Sequence, residues 1–302
     1  MGTEARSPSI QDEVVQEEVA TQEDGGRDTT LGRVRRTAFK VVAILSTLFI
    51  LAMFNVVLLL IVVSWFPAQM YVGLIGEPAA ELIPHRLHDS ILPILAWSLL
   101  IGVGLQVRRP KVRQAPLLMA VAVPVIFAAV ELATGSFAVM DSLPLYVVFG
   151  LLMMLHPQAL EAIRIRRLDK LMTALTAAAA AAWLPFAYEQ ARLQPLAVAG
   201  DDHAAKGHWV RMAVFAILVV VWALLGSSDR PGWRITAWVT GLASAWYGFQ
   251  SLIFGGASAA AWPWAIGAVV WGAAFIIAAE MRARAGHGAA SESESGAAGR
   301  AA

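Results

Sequence analysis

The sequence contains no cysteine. That excludes disulfides, thiolate zinc sites, cysteine-held iron–sulfur clusters and covalently attached c-type haem, and it leaves the redox compartment unread. Charge is scarce too, at 15% of residues, where a soluble domain carries about 25%. Histidine is rarer still, with six in 302 residues. There is no Walker A loop, no His-Glu-x-x-His and no series of His-x-x-x-His boxes. The formal net charge of +1 says little, because what matters in a membrane protein is where the charges sit; no nucleic-acid partner is expected.

Apolar residues are abundant, at 58% of the chain with a mean hydropathy of +0.62. They come in blocks long enough to cross about 30 Å of hydrocarbon, not in the stripes of a soluble amphipathic helix. The blocks cover residues 38–66, 90–107, 115–134, 143–155, 171–188, 209–226, 235–254 and 261–279. The expected fold is an all-α membrane protein, a bundle of about eight transmembrane helices whose main partner is the lipid bilayer. The fourth block is the shortest; extending it through 137–140 carries Asp141 into its outer end. Residues 1–36 are expected to be a disordered acidic cytoplasmic tail, 37–284 the transmembrane domain and 285–302 a second disordered tail. The first block is much longer than the roughly 7–15-residue core of a cleaved signal peptide, so it reads as an uncleaved anchor.

Basic residues orient the bundle. Arg33, Arg35, Arg36 and Lys40 precede the first block, followed along the chain by Arg108, Arg109, Lys111 and Arg113, by Arg164 to Lys170, by Arg230 with Arg234, and by Arg282 with Arg284. Eight spans place all of these on one face, which the positive-inside rule makes cytoplasmic. Both termini then lie on the cytoplasmic side of the cell membrane, and the two histidine-bearing loops lie outside. Small residues at Ala237, Gly241 and Ala245, at Ala268 and Gly272, and along Ala177 to Ala182 are expected to let helices approach closely. Pro124 is expected to kink the third span and Asn55 to bond between helices. The second and sixth spans each carry a tryptophan and end at Arg-Pro, an echo of shared order but unequal spacing.

Two polar stretches stand directly before apolar blocks: Pro84-His85-Arg86-Leu87-His88-Asp89 and Asp201-Asp202-His203-Ala204-Ala205-Lys206-Gly207-His208. His85, His88 and Asp89 at i, i+3 and i+4 share one face of a helix that Pro84 would begin. His203 and His208 are five apart, so a shared site needs a break between them, which Gly207 can supply. Imidazoles and a carboxylate so grouped suit a divalent transition metal with an open position for water; His88 with His208 could instead hold a haem. The candidate metal ligands are His85, His88, Asp89, His203 and His208, with Glu131 or Asp202 as acid/base group.

Glu77, Glu81, Asp141 and Glu189 fall on the same outer side, and Glu131 is an ionisable group inside a span. Arg86, Arg192, Lys206 and Arg211 are also outside, against the charge trend, and fit a small amphiphilic or anionic substrate. The leading expectation is an outward-facing His/carboxylate site that binds metal and uses it catalytically. The alternatives are a proton-coupled transporter working through Glu131 and the histidines, and a non-catalytic accessory protein. The site requires a ring nitrogen of His88 within about 5–6 Å of one on His203 or His208, an allowance for ligands not drawn together by an ion.

Overall fold

The computed structural model describes residues 30–63, 65, 70, 82–136, 139–164, 166–196, 202–205, 207–255 and 258–301; of residues 31, 56, 60, 61, 63, 82–85, 139–142, 202, 203 and 286–301 it describes the backbone alone. Among these residues the chain is nearly all helix, with no strand beyond an isolated bridge between Leu168 and Ser228. The helices are α1 (Thr30–Val63), α2 (Leu82–Arg108), α3 (Gln114–Thr134), α4 (Val139–Leu155), α5 (Ala159–Ile163), α6 (Lys170–Leu196), α7 (Asp202–Ala205), α8 (His208–Ser227), α9 (Trp233–Phe254) and α10 (Trp262–Ala301).

Every apolar block read from the sequence is thus a long helix, and α1, α2, α3, α6, α8 and α10 are long and apolar enough to cross a membrane. This is the make-up of a multi-pass membrane protein. The apolar stretch of α4, Leu143–Leu155, is shorter. At 22 residues, α9 reaches about 33 Å at 1.5 Å per residue. Its apolar character is diluted by a buried polar seam of Thr236, Thr240, Ser244, Tyr247, Gln250 and Ser251.

Helix α8 is the central pillar, packed against α2, α3, α6 and α9. Its middle carries Met212 to Ala216, Leu218, Val219, Trp222 and Ala223, all buried. Lipid chains are as apolar as leucine, so close packing and interhelical hydrogen bonds must hold such helices together. Trp222 supplies one, its indole N–H donating to the Met119 carbonyl at 3.0 Å. The tryptophan of the echoed second span, Trp97, is instead 40% exposed, so the two stretches play different parts.

Helices α9 and α10 meet through the small residues expected there. A Cβ added to Gly241 would stand 2.6 Å from the Gly272 carbonyl oxygen, and one on Gly272 would strike the Gly241 carbonyl. The Ser244 hydroxyl donates across the seam to the Ala268 carbonyl at 3.0 Å. The alanine run in α6 behaves differently: Ala179 is buried, while Ala177, Ala178, Ala181 and Ala182 are exposed.

The five basic segments converge at one end of the bundle. Arg35 donates to the carbonyls of Met154 and His156, whose ring in turn bonds the Pro110 carbonyl at 3.3 Å. The Ala115 N–H reaches the Pro231 carbonyl at 3.0 Å, and the Asp169 N–H reaches Ser227 at 2.8 Å. Arg230 donates to the carbonyls of Ala162 and Arg164. Arg282 donates to Ser227 and Ser228, both at 3.1 Å, with its guanidinium 3.9 Å over the Trp233 ring. Carbonyls at helix C-termini lack intrahelical partners and form the negative end of the helix dipole. Arginine donors satisfy both needs for α4, α5 and α8.

Local geometry adds four details. Helix α1 begins at Thr30, within the region read as tail, and Arg35 anchors it on the end of α4. The backbone of α10 stays helical to Ala301 through the stretch read as a flexible tail. Helix α3 runs unbroken through Pro124, and the kink falls in α1 at Phe54 (φ −109°, ψ 15°). Asn55 does not reach another helix: it donates to the Ala52 carbonyl of its own helix at 2.7 Å, beside that kink. Residues 1–29, with most of the acidic tail, lie outside the described residues.

Candidate functional site

At the end opposite the basic segments, the first described turns of α2 carry His88 and Asp89, while α7 ends at Ala205 and α8 begins at His208 after Gly207. Gly207 sits there at φ 66°, a left-handed conformation that breaks the helix and restarts it at His208. The expected interruption between His203 and His208 is therefore present. It turns His208 inward from the N-terminus of α8, against α2.

His88 and His208 are 3% and 2% exposed, and their rings stack with centroids 4.6 Å apart and planes 13° apart. The two histidine stretches thus converge, as the shared-site expectation required. Trp209 stands edge-on to His88 at 6.0 Å. His88 Nε2 lies 2.9 Å from Ser258 Oγ, and that hydroxyl donates to Gln190 Oε1 at 2.7 Å. Ser258 has a single hydroxyl proton and gives it to Gln190, so His88 must carry its proton at Nε2 and donate it to Ser258. The Tyr247 hydroxyl closes the cluster by donating to the Ser258 carbonyl at 2.9 Å. One hydrogen-bonded group therefore joins α2, α6, α9 and the α9–α10 connection, with the ring of α8 stacked upon it.

Beside the stack lies a cavity of about 720 Å³. Its body is apolar: Met53 and Phe54 at the kink of α1, Leu92, Leu95 and Leu99 of α2, Val123, Pro124 and Phe127 of α3, and Leu145 of α4. Its polar lining comes from Asp89, Glu131, Ser136, Gln194, His208 and Arg211, at or near the helix ends opposite the basic segments. Glu131 is 4% exposed and so turns into the bundle rather than out to the interface. The Asp89 charge acts on Arg211, which is partly buried. Gln194 ties α6 to the rim by donating to the Ala204 carbonyl at 2.9 Å.

The other outer charges stand apart from the cavity. Glu189 and Arg192 pair with each other on the surface of α6 at 2.8 Å. The Arg86 guanidinium lies 5.7 Å over the Phe254 ring. Glu77, Glu81, Asp201 and Lys206 lie outside the described residues; His85, Asp141, Asp202 and His203 are described by backbone alone.

The expected metal site does not assemble among the described residues, where no three His, Cys, Asp or Glu side chains are placed to hold an ion. The stack gives the reason. An imidazole lone pair lies in the plane of its ring, so two rings nearly parallel and face to face cannot both aim at one ion. His88 Nε2 is moreover engaged by Ser258, and Asp89 turns to the cavity. A haem fares no better, since axial histidines point nitrogens at iron from opposite faces, whereas these rings lie against each other.

Sequence reasoning missed Gln190, Tyr247 and Ser258. Gln190 stands between Glu189 and Arg192, Tyr247 is followed closely by Gln250 and Ser251, and Ser258 lies in a Gly/Ala connection, so none stood out as Glu131 did. No protein-family model matches this chain, and neither a curated protein nor a solved structure is detectably similar to it.

Proposed function

We propose that this protein binds a small amphiphile from the outer side of the cell membrane, with the chain in the apolar cavity and the head among Asp89, Glu131, His208 and Arg211. The single observation that carries this is one cavity lined both by a broad apolar surface and by the charged residues Asp89, Glu131 and Arg211. Its volume lies within the roughly 300–1,000 Å³ of small-molecule sites. The convergence of five basic segments at the far end supports a cytoplasmic placement for that end, with eight spans and both termini inside. A carboxylate buried within a membrane span is costly and marks a working site, which is the role assigned here to Glu131.

The test is native mass spectrometry of the protein purified in a maltoside detergent. A single-chain amphiphile is expected to co-purify with it. Leu92→Trp, which fills the cavity, should abolish retention, whereas Leu224→Trp on the exposed face of α8 should not. Equal retention in both variants overturns the proposal.

A second reading, a proton-coupled carrier, is favoured by the gathering of Glu131, His208 and its stacked neighbour His88 about the cavity. Proton movement driven by the amphiphile in sealed proteoliposomes, absent from Glu131→Gln, distinguishes carriage from binding alone.

A further inference from the structure

The connection from α4 to α6 lies at the basic end of the bundle, away from the cavity, and from its side chains we infer that it is a seat for anionic phospholipid. The inference goes beyond the amphiphile reading and stands independently of it.

Helix α5, within this connection, has one side fixed and the other open. Ala162 is buried, and Arg230 donates to the carbonyls of Ala162 and Arg164, which clamps the short helix onto the bundle. Gln158, just before it, accepts from the Gln114 side chain at 3.0 Å. Leu160 and Ile163 are three apart and so neighbours on one helical face. They are 81% and 58% exposed. Leu168 and Leu171, at the entry to α6, are exposed as well.

The adjoining helices set the depth of this surface. The stretch of α6 that is long and apolar enough to cross a membrane begins at Lys170. With α6 across the bilayer, residues 159–169 lie at the level of the headgroups. There an exposed apolar face enters the boundary between headgroups and acyl chains, while basic residues beside it attract anionic lipid.

The charges have the sign this requires. Residues 159–171 hold four basic side chains, Arg164, Arg166, Arg167 and Lys170, against two acids, Glu161 and Asp169, an excess of two positive charges. Asp169 is drawn toward the bundle: it accepts from the Met172 N–H at 2.9 Å, and its charge acts on Arg282. Glu161 lies 3.9 Å from Arg164 and 3.7 Å from Arg166, and exposed pairs of this kind hold weakly. Arg164, Arg167 and Lys170 are exposed beside the leucines, and guanidinium groups match phosphate oxygens two at a time. A second protein could use the leucines or the charges. A lipid surface supplies hydrocarbon and phosphate together, at the depth that α6 sets.

The experiment uses the full chain in lipid nanodiscs. Leu160→Cys introduces the sole thiol and carries a nitroxide, whose relaxation is compared in oxygen, which concentrates in hydrocarbon, and in an aqueous nickel chelate. The label is expected to respond more to oxygen. Native mass spectrometry of protein released from discs of equal parts phosphatidylglycerol and phosphatidylcholine should find the anionic lipid enriched about tenfold among those retained, the order that two net charges at a membrane surface allow. Arg164→Gln, Arg167→Gln and Lys170→Gln together should bring the two lipids near parity. Arg108→Gln, Arg109→Gln and Lys111→Gln, an equal loss of charge at the same end, should leave most of the enrichment. A label that responds chiefly to nickel assigns the face to solvent, and a spectrum broadened by the label of a second copy assigns it to protein; either overturns the inference. So does an absence of preference for phosphatidylglycerol, or an equal loss of it in the two triple variants. The label and the native lipid ratio need no change of charge, so they decide even where a glutamine variant fails to fold.

Discussion

The imidazoles of His88 and His208 lie face to face, 4.6 Å between centroids, although 120 positions separate them in the chain. The contact pins the second helix to the central one at the rim of the cavity. His88 also bonds Ser258, so it couples the stack to the α9–α10 connection. His88→Phe keeps a ring against His208 but removes the donor to Ser258, and a buried group that loses its partner costs about 1–3 kcal/mol. Thermal unfolding should show that loss. Combining it with Ser258→Ala should cost less than the two single changes together, because the bond is already gone. Strict additivity means that the two residues do not interact.

Close approach of α9 and α10 predicts a contrast between glycines. Gly241→Ala forces a methyl against the Gly272 carbonyl, and overpacking of this kind costs about 1–3 kcal/mol. Gly267 lies in the same pair of helices with nothing within 4 Å of its added Cβ. Gly267→Ala should be neutral or stabilising by about 0.5–1 kcal/mol. Unfolding midpoints for the two variants should therefore fall on opposite sides of, or one well below, that of the native protein.

At the basic end, burial holds the His156 imidazole below its ordinary pKa of 6.5, and the nearby charge of Arg35 adds to the effect. The folded junction therefore keeps the ring neutral where an unfolded one takes up a proton. Its stabilising contribution is complete above 6.5 and declines as pH falls from there toward the folded value. Hydrogen exchange of residues 156–164, corrected for intrinsic rates, should be faster at about pH 5.5 than at about pH 7.5. His156→Gln should flatten that dependence, and a profile unchanged by the substitution assigns the effect to another group.

Because the native chain has no cysteine, single cysteines at Lys111, Arg166 and Asp202 can be labelled from either side without background. Lys111→Cys and Arg166→Cys should react from the cytoplasm and Asp202→Cys from outside. Labelling of Asp202→Cys from the cytoplasm alone reverses the orientation and moves the cavity mouth to the other face.

The outer contact of Glu131 was legible to a point. An acid near the end of an apolar block faces either the bundle or the interface, and sequence leaves both open; only the packing of α3 against α2, α4 and α8 turned it to the cavity. Gly207 was a clearer case, since a break was needed there and glycine alone among the residues between the two histidines enters the left-handed region freely.

What this sequence determined by itself are the properties that depend on one segment at a time. The eight apolar blocks are helices, six of them long and apolar enough to cross a membrane, where a backbone has to bond within itself, and the arginine clusters met at one end because successive long helices reverse direction. Which helices touch, and through which atoms, was decided only in three dimensions. The same residue types that could have surrounded a metal ion stack instead, because ring orientation follows from how α2 and α8 pack and from Ser258 and Gln190, contributed by distant parts of the chain. The cavity likewise draws its lining from seven helices and its charges from three, and no spacing along the chain encodes that meeting, since helix partners in a membrane are chosen by close packing and hydrogen bonds rather than by burial from water.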